Sequence, residues 1–199
     1  MKEIVLATRN IDKIREIRAI LSDIDVKILS LLDFDGIPIV VEDGKDLKDN
    51  AIKKAKIAYK YTGKIAVADD SGLEVKSLGG LPGVHSARFA GPKASYKENN
   101  QKLLDVLGDR PLEERAARFR CMIAVVDSDG EPKIFEGTVN GYIGFEERGN
   151  AGFGYDPLFI VPQYNKTFAE LGEDLKNRIS HRAKALSKLK EYLKTVIGD

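Results

Sequence analysis

Between Ile65 and Arg88 the chain passes from an apolar strand into two adjacent carboxylates, then into glycine-rich backbone that ends on an arginine. The run Ala66-Val67-Ala68-Asp69-Asp70-Ser71-Gly72-Leu73-Glu74-Val75 continues through Leu78-Gly79-Gly80-Leu81-Pro82-Gly83-Val84-His85-Ser86-Ala87-Arg88-Phe89. An apolar strand from Ile65 to Ala68 restricts the chain to folds that bury a sheet. Carboxylates at a strand end, beside backbone that can bend sharply, are how proteins hold a hard cation such as Mg2+ against a phosphate. Asp, Ser and Gly are equally the residues of a surface turn, so this segment alone leaves both readings open. In extended chain, neighbouring side chains point to opposite faces, so only one of Asp69 and Asp70 can face a site.

The 199 residues suffice for one sizeable core or two lobes sharing a sheet, and 43% hydrophobic with 32% charged residues is a globular composition. A net charge of +1 gives no global field for nucleic acid or an anionic membrane, so neither is expected as a partner. The one cysteine, Cys121, excludes an intrachain disulfide and lies in an apolar run, where a buried inert thiol is expected. The N-terminus enters a short strand without a signal-peptide core, and no apolar run approaches a membrane span. A cytoplasmic location is the expectation.

Ile4 to Ala7 reads as a buried strand, and Ile11, Ile14, Ile17 and Leu21 fall at helical spacing after it. Val26 to Leu32 and Ile37 to Val41 read as strands or extended segments. Leu47, Ala51, Ala55 and Ala58 predict a second helix stopping near Thr62-Gly63. A third helix is expected over Ser95 to Leu107, ended by Gly108. Residues 117 to 126 and Lys133 to Ile143, joined through Asp129-Gly130, predict an antiparallel hairpin, and Phe159 to Val161 a further short strand. A last helix is expected from Ile179 to Ile197, with its core stripe from Ile179 to Val196. No repeat, low-complexity tract or linker interrupts the chain, which reads as one α/β domain over 1–199 with a mixed sheet.

Four further constellations carry possible chemistry. Thr8-Arg9-Asn10 followed by Lys13 joins a strand to a helix N-terminus, which suits an anion, although Asn10 also makes a plain N-cap. Glu42 precedes Asn50 and Lys54, which are four apart on one helical face; together they could surround one phosphate or simply face solvent. In Asn150-Ala151-Gly152-Phe153-Gly154-Tyr155-Asp156-Pro157, two glycines let backbone approach a ligand while Phe153 offers a stacking face, or the aromatics pack a core. Lys176 and Ser180-His181-Arg182 gather donors near the start of the last helix, where Arg182 is a natural partner for an oxo group on a purine.

Taken together these motifs resemble the inosine/xanthosine triphosphate pyrophosphatase family, the house-cleaning enzymes of deaminated purine nucleotides. The matching stretches are Leu6 to Lys13, Glu42-Asp43-Gly44 before Asn50 to Ala55, Ala68 to Leu73, Leu78 to Arg88, Phe153 to Pro157 and Ser180 to Leu186, in family order over nearly the whole chain. Asp46, Leu47 and Asp49 depart from the family's usual Thr or Ser, Phe and Glu, which touches helix packing more than chemistry.

The resemblance implies an α/β fold of two lobes around a long curved mixed sheet flanked by helices, with the site in the cleft between lobes. It implies hydrolysis of ITP, dITP and XTP to the monophosphate and pyrophosphate with Mg2+, or Mn2+, by a homodimer. By position, Thr8, Arg9, Asn10, Lys13 and Ser71 would hold substrate, and Glu42 and Asp70 would bind metal. Asp70 would also activate water and Lys54 would neutralise phosphate charge. Phe153, Gly154, Tyr155, Asp156, Lys176, His181 and Arg182 would hold base and sugar. A pyrophosphatase for other modified nucleotides and a nucleotide sensor without turnover are the alternatives; the carboxylate set argues against the sensor.

Overall fold

The computed structural model describes residues 2–197. Strand β1 (Lys2–Leu6) leads into helix α1 (Ile11–Ile20), and β2 (Val26–Ser30) follows. Helix α2 (Leu47–Thr62) precedes β3 (Ile65–Val75), and α3 (Tyr96–Leu107) precedes the long strands β4 (Ala116–Val126) and β5 (Lys133–Ile143). Two short strands, β6 (Phe159–Val161) and β7 (Lys166–Thr167), come next. Three helices close the chain: α4 (Phe168–Leu171), α5 (Glu173–Ile179) and α6 (His181–Ile197).

The strands hydrogen-bond in the order β2-β1-β3-β4-β5-β6-β7. β1 is parallel to β2 and β3, whereas β6 is antiparallel to β5 and β7, so the sheet is mixed and the α/β expectation holds. No helix among the described residues is long and apolar enough to cross a membrane.

Compactness divides the chain into two units. The first comprises the chain up to Asp70, Cys121–Gly137 and the segment from His181 onward. Its core joins Ile4 and Leu6 of β1 to Ile14 and Ile17 of α1, Ile123 of β4, and Leu186 and Leu189 of α6. Local chemistry sets the helix ends. Asn10 Oδ1 accepts from the Lys13 amide, Asp46 Oδ1 accepts from the Asp49 amide, and Gly63 takes the left-handed conformation that ends α2. Gly137 is where β5 meets α6 without a side chain between them: a Cβ there would lie 2.1 Å from the His181 carbonyl oxygen and 2.5 Å from the Ala185 nitrogen.

The second unit comprises Ser71–Arg120 and Thr138–Ser180. Phe119, Phe159 and Phe168 form its aromatic centre, with Phe119 and Phe159 centroids 4.6 Å apart and Phe159 stacked on Phe168 at 5.3 Å. Buried Arg115 donates to the carbonyls of Gly108, Ile143 and Gly144 at 2.7–2.9 Å and lies 4.5 Å from the Phe145 ring centroid.

Five local expectations need correction. The strand predicted over Ile65 to Ala68 continues through Asp69, Asp70 and Gly72 to Val75, because each carboxylate finds cationic partners and no turn is needed. Ile37 to Val41 joins no strand; Pro38 lacks a donor, Arg9 takes the Ile37 carbonyl, and Ile39 is 84% exposed. β2 stops at Ser30, which with Asp33 forms a capping box for a tight turn over Leu31–Asp33. Ile179 ends α5, Ser180 is extended, and the last helix starts at His181; Ile11, directly after a cap, is 69% exposed rather than core.

Gly137→Ala forces a methyl group into the backbone of α6, which cannot swing aside as a flexible side chain would. The expected loss is about 1–3 kcal/mol or more, read as a lower urea midpoint at unchanged slope.

Candidate active site

In the first unit, two clusters form on opposite faces of β3, as the alternation of a strand requires. Asp70 belongs to one of them. Lys54 Nζ donates to Asp70 Oδ1 at 2.7 Å, to Glu42 Oε1 at 2.9 Å and to the Asp69 carbonyl at 2.8 Å. Asn50, one helical turn earlier on α2, donates from Nδ2 to Asp70 Oδ2 at 3.4 Å. The segment after Val41 carries Glu42 to this point, so two carboxylates converge on one ammonium group. Burial pushes the Asp70 carboxyl above its ordinary 3.8, with Lys54 and Lys13 opposing that shift. For Lys54 burial works downward, but the charges of Asp70 and Glu42 outweigh it and its pKa is raised.

Asp69 faces the other cluster. Lys13 forms an ion pair with it, Arg182 donates Nε to Oδ2 at 3.1 Å and Nη2 to Oδ1 at 3.4 Å, and the Cys121 thiol donates to Oδ2 at 3.0 Å. Arg182 Nη1 also donates to Glu16, which is buried on α1. Burial alone would raise the Asp69 pKa, yet Arg182 and Lys13 together hold it well below 3.8. The neighbouring aspartates are therefore unlike: Asp69 stays a fixed anion, while Asp70 is the better proton acceptor.

Thr8, Arg9 and Asn10 lie in the β1–α1 connection. Thr8 Oγ1 accepts from the Asn10 amide at 3.1 Å, and the Arg9 guanidinium donates to the Ile37 carbonyl at 2.7 Å. Ser71 follows Asp70 in β3 and is half-buried. His181 and Arg182 are buried at the start of α6. Arg182 is 2% exposed, and its guanidinium donates to Asp69 and Glu16. A long, bidentate donor in a dry interior is bound by the carboxylates nearest to it.

The second unit gathers Phe153, Gly154, Tyr155, Asp156 and Lys176. Asp156 Oδ2 accepts from the Phe153 amide at 2.8 Å and from the Lys176 ammonium, and that ammonium lies 4.6 Å from the Phe153 ring centroid. Tyr155 donates its hydroxyl to the Ser86 carbonyl at 2.9 Å, and burial raises its pKa. Gly152 has φ of +76°, and a Cβ there would sit 2.1 Å from Asp156 Oδ2. Tyr96 of α3 tilts against Phe153 with centroids 5.8 Å apart. Sequence reading missed Glu16, which looks like a solvated helix charge until Arg182 is placed beside it.

The mixed α/β fold is shared with proteins of known kind. The chain belongs to the Ham1 family, whose sequence model matches residues 4–192. It is 50% identical over 191 residues to a dITP/XTP pyrophosphatase of Desulforamulus reducens, covering 96% of this chain and 95% of the relative. A dITP/XTP pyrophosphatase of Geobacter sulfurreducens is 50% identical over 193 residues, covering 97% of each. The solved HAM1 protein from Coxiella burnetii superposes with a TM-score of 0.88 at 42% identity, over 98% of this chain and 100% of that one. The Staphylococcus aureus Ham1 protein gives 0.87 at 41%, over 98% and 99%. Membership agrees with the resemblance read from the motifs.

Asp69→Asn leaves Arg182 and Lys13 short of one buried counter-charge, which costs about 3–5 kcal/mol. Because folding depresses the Asp69 pKa, its contribution is fully present above the ordinary value of 3.8 and is lost as pH falls through the folded value. Urea unfolding of wild type and Asp69→Asn should therefore differ most near neutrality, with the gap narrowing below about pH 4.

Proposed function

We propose that this chain hydrolyses deaminated purine nucleoside triphosphates, dITP, ITP and XTP, to the nucleoside monophosphate and pyrophosphate, clearing them from the cytoplasmic nucleotide pool as a homodimer. The observation that carries the reading is the convergence of Glu42 and Asp70 on the Lys54 ammonium. Full-length similarity to curated dITP/XTP pyrophosphatases supports it.

The donor set fits a hard divalent cation. Glu42 and Asp70 offer only carboxylate oxygens, and the Lys54 ammonium marks a place where positive charge is stable between them. Two protein ligands suit Mg2+, with Mn2+ as a substitute, because Mg2+ keeps positions for phosphate oxygens and water. When bound, that ion supplies charge neutralisation for the departing pyrophosphate.

The remaining roles fall to the chain's own residues. Thr8, Asn10 and the first amides of α1 present donors to phosphate oxygens, with Arg9, Lys13 and Ser71 beside them. Asp70 accepts the proton of the attacking water, helped by its raised pKa. Lys54 stabilises the negative charge that grows on the phosphates. Phe153 offers a flat face to the base, and Lys176, fixed by Asp156, offers a donor near it. Gly154 and Tyr155 shape the loop, and His181 and Arg182 add to the base and sugar contacts.

A donor aimed at C6 is satisfied by the oxo group of hypoxanthine or xanthine, but adenine presents an amino group there. An unsatisfied donor costs about 1–3 kcal/mol, more when charged, so dITP and XTP should exceed dATP in kcat/KM by roughly a hundredfold. Pyrophosphate release from these substrates is the test. Asp70→Asn should lower the rate by about two to four orders of magnitude without unfolding the chain, and excess chelator should abolish it. Nucleotide binding with no pyrophosphate release from the wild type would favour a sensor instead.

A further inference from the structure

Asn50 is 1% exposed and uses both ends of its amide. Oδ1 accepts from the Gly44 amide at 2.8 Å, while Nδ2 donates to Asp70 Oδ2 at 3.4 Å. Chemistry fixes this orientation: a backbone N–H only donates and an ionised carboxylate only accepts, so a flipped amide would lose both bonds. The fit around Gly44 is close, since a Cβ there would lie 2.6 Å from Asn50 Oδ1. On the same helical face, Lys54 takes the other oxygen of Asp70 and one oxygen of Glu42. Helix α2 thus holds one carboxylate through its side chain and the other also through the backbone that follows it.

We propose that Asn50 is a positioning residue for the metal site: by tying Gly44 to the Asp70 carboxylate, it fixes the separation of Glu42 and Asp70. This rests on the reading of those two residues as Mg2+ ligands. It gives Asn50 a different task from the direct phosphate contact that its helical spacing suggests. Hydrogen bonds to ligating carboxylates set which lone pairs face the cation, and losing such a partner typically weakens metal binding or activity about 10–100-fold.

Asn50→Leu keeps the bulk and removes both hydrogen bonds, and Asn50→Ala removes bulk as well. Asp46→Ala deletes the α2 cap without touching either carboxylate, and so reports the effect of a weaker helix alone. Two readouts are needed: binding of Mn2+ without nucleotide, followed by water-proton relaxation, and the Mg2+ concentration giving half-maximal pyrophosphate release from dITP. Both Asn50 variants should bind Mn2+ about 10–100-fold more weakly and need correspondingly more Mg2+, with kcat falling more than KM for dITP rises. Asp46→Ala should lower the melting temperature and leave both metal readouts at wild-type values. Wild-type Mn2+ affinity and Mg2+ requirement in the Asn50 variants would overturn the proposal, as would Asp46→Ala matching their metal defects. A wild type that binds no Mn2+, or works without any divalent ion, would overturn the underlying metal reading instead.

Discussion

A carboxylate removed from water stays ionised only if cations are brought to it, and Asp69 draws Lys13 from α1 and Arg182 from α6. Much of the first unit follows from this requirement. The pair with Lys13 ties the first turn of α1 to β3. The pair with Arg182 anchors the start of α6, and Glu16 takes up the charge that Arg182 has left over. The thiol of Cys121 adds β4 to the same point. Such a network contributes little net stability over an apolar core, but each member is badly placed without the others. Its value lies in geometry, because it leaves Asp70 one face of β3 to itself.

The second unit handles buried charge differently. Arg115 meets backbone carbonyls, which accept hydrogen bonds at a strand end and a helix end that would otherwise need other donors. Asp156 and Lys176 neutralise each other, and Asp156 also holds the amide of Phe153, so an aromatic loop acquires a defined shape. In both units, polar side chains in dry surroundings do the orienting, while apolar residues fill the space behind them.

Much of this was legible in the sequence where the cause is local. Asn10, Asp46 and Ser95 announce helix starts because a short polar side chain can cap its own turn, and Gly63 announces an end because it tolerates positive φ. The alternation around Phe119, Cys121 and Ile123 announces β4. What sequence hid depends on distant partners. The carboxylate pair reads equally as a turn or a cation site until Lys13, Lys54 and Arg182 are seen to supply its counter-charges. Ile37 to Val41 has the composition of a strand, but Pro38 and the Arg9 bond remove the groups a neighbour would pair with. The choice between Asp69 and Asp70 could come only from family resemblance, since nothing in two identical side chains separates them.

That identity bears on how β3 finds its alignment. From Ile65 to Ala68 the strand is apolar on both faces, so a shift by one residue against β1 would bury much the same surface. The aspartates would resist only in part, because Asp70 could enter the place of Asp69 with its chemistry unchanged while Ser71 came to face Lys54. Gly72 breaks this degeneracy. A Cβ at its position would lie 2.4 Å from the Gly83 carbonyl oxygen, and the next residue, Leu73, gives its amide to Ser86 Oγ at 2.9 Å. A slipped strand would bring Ser71 or Leu73 to that contact, where no side chain fits. One absent methyl group thus proofreads the register of a strand whose own pattern is nearly blind to it.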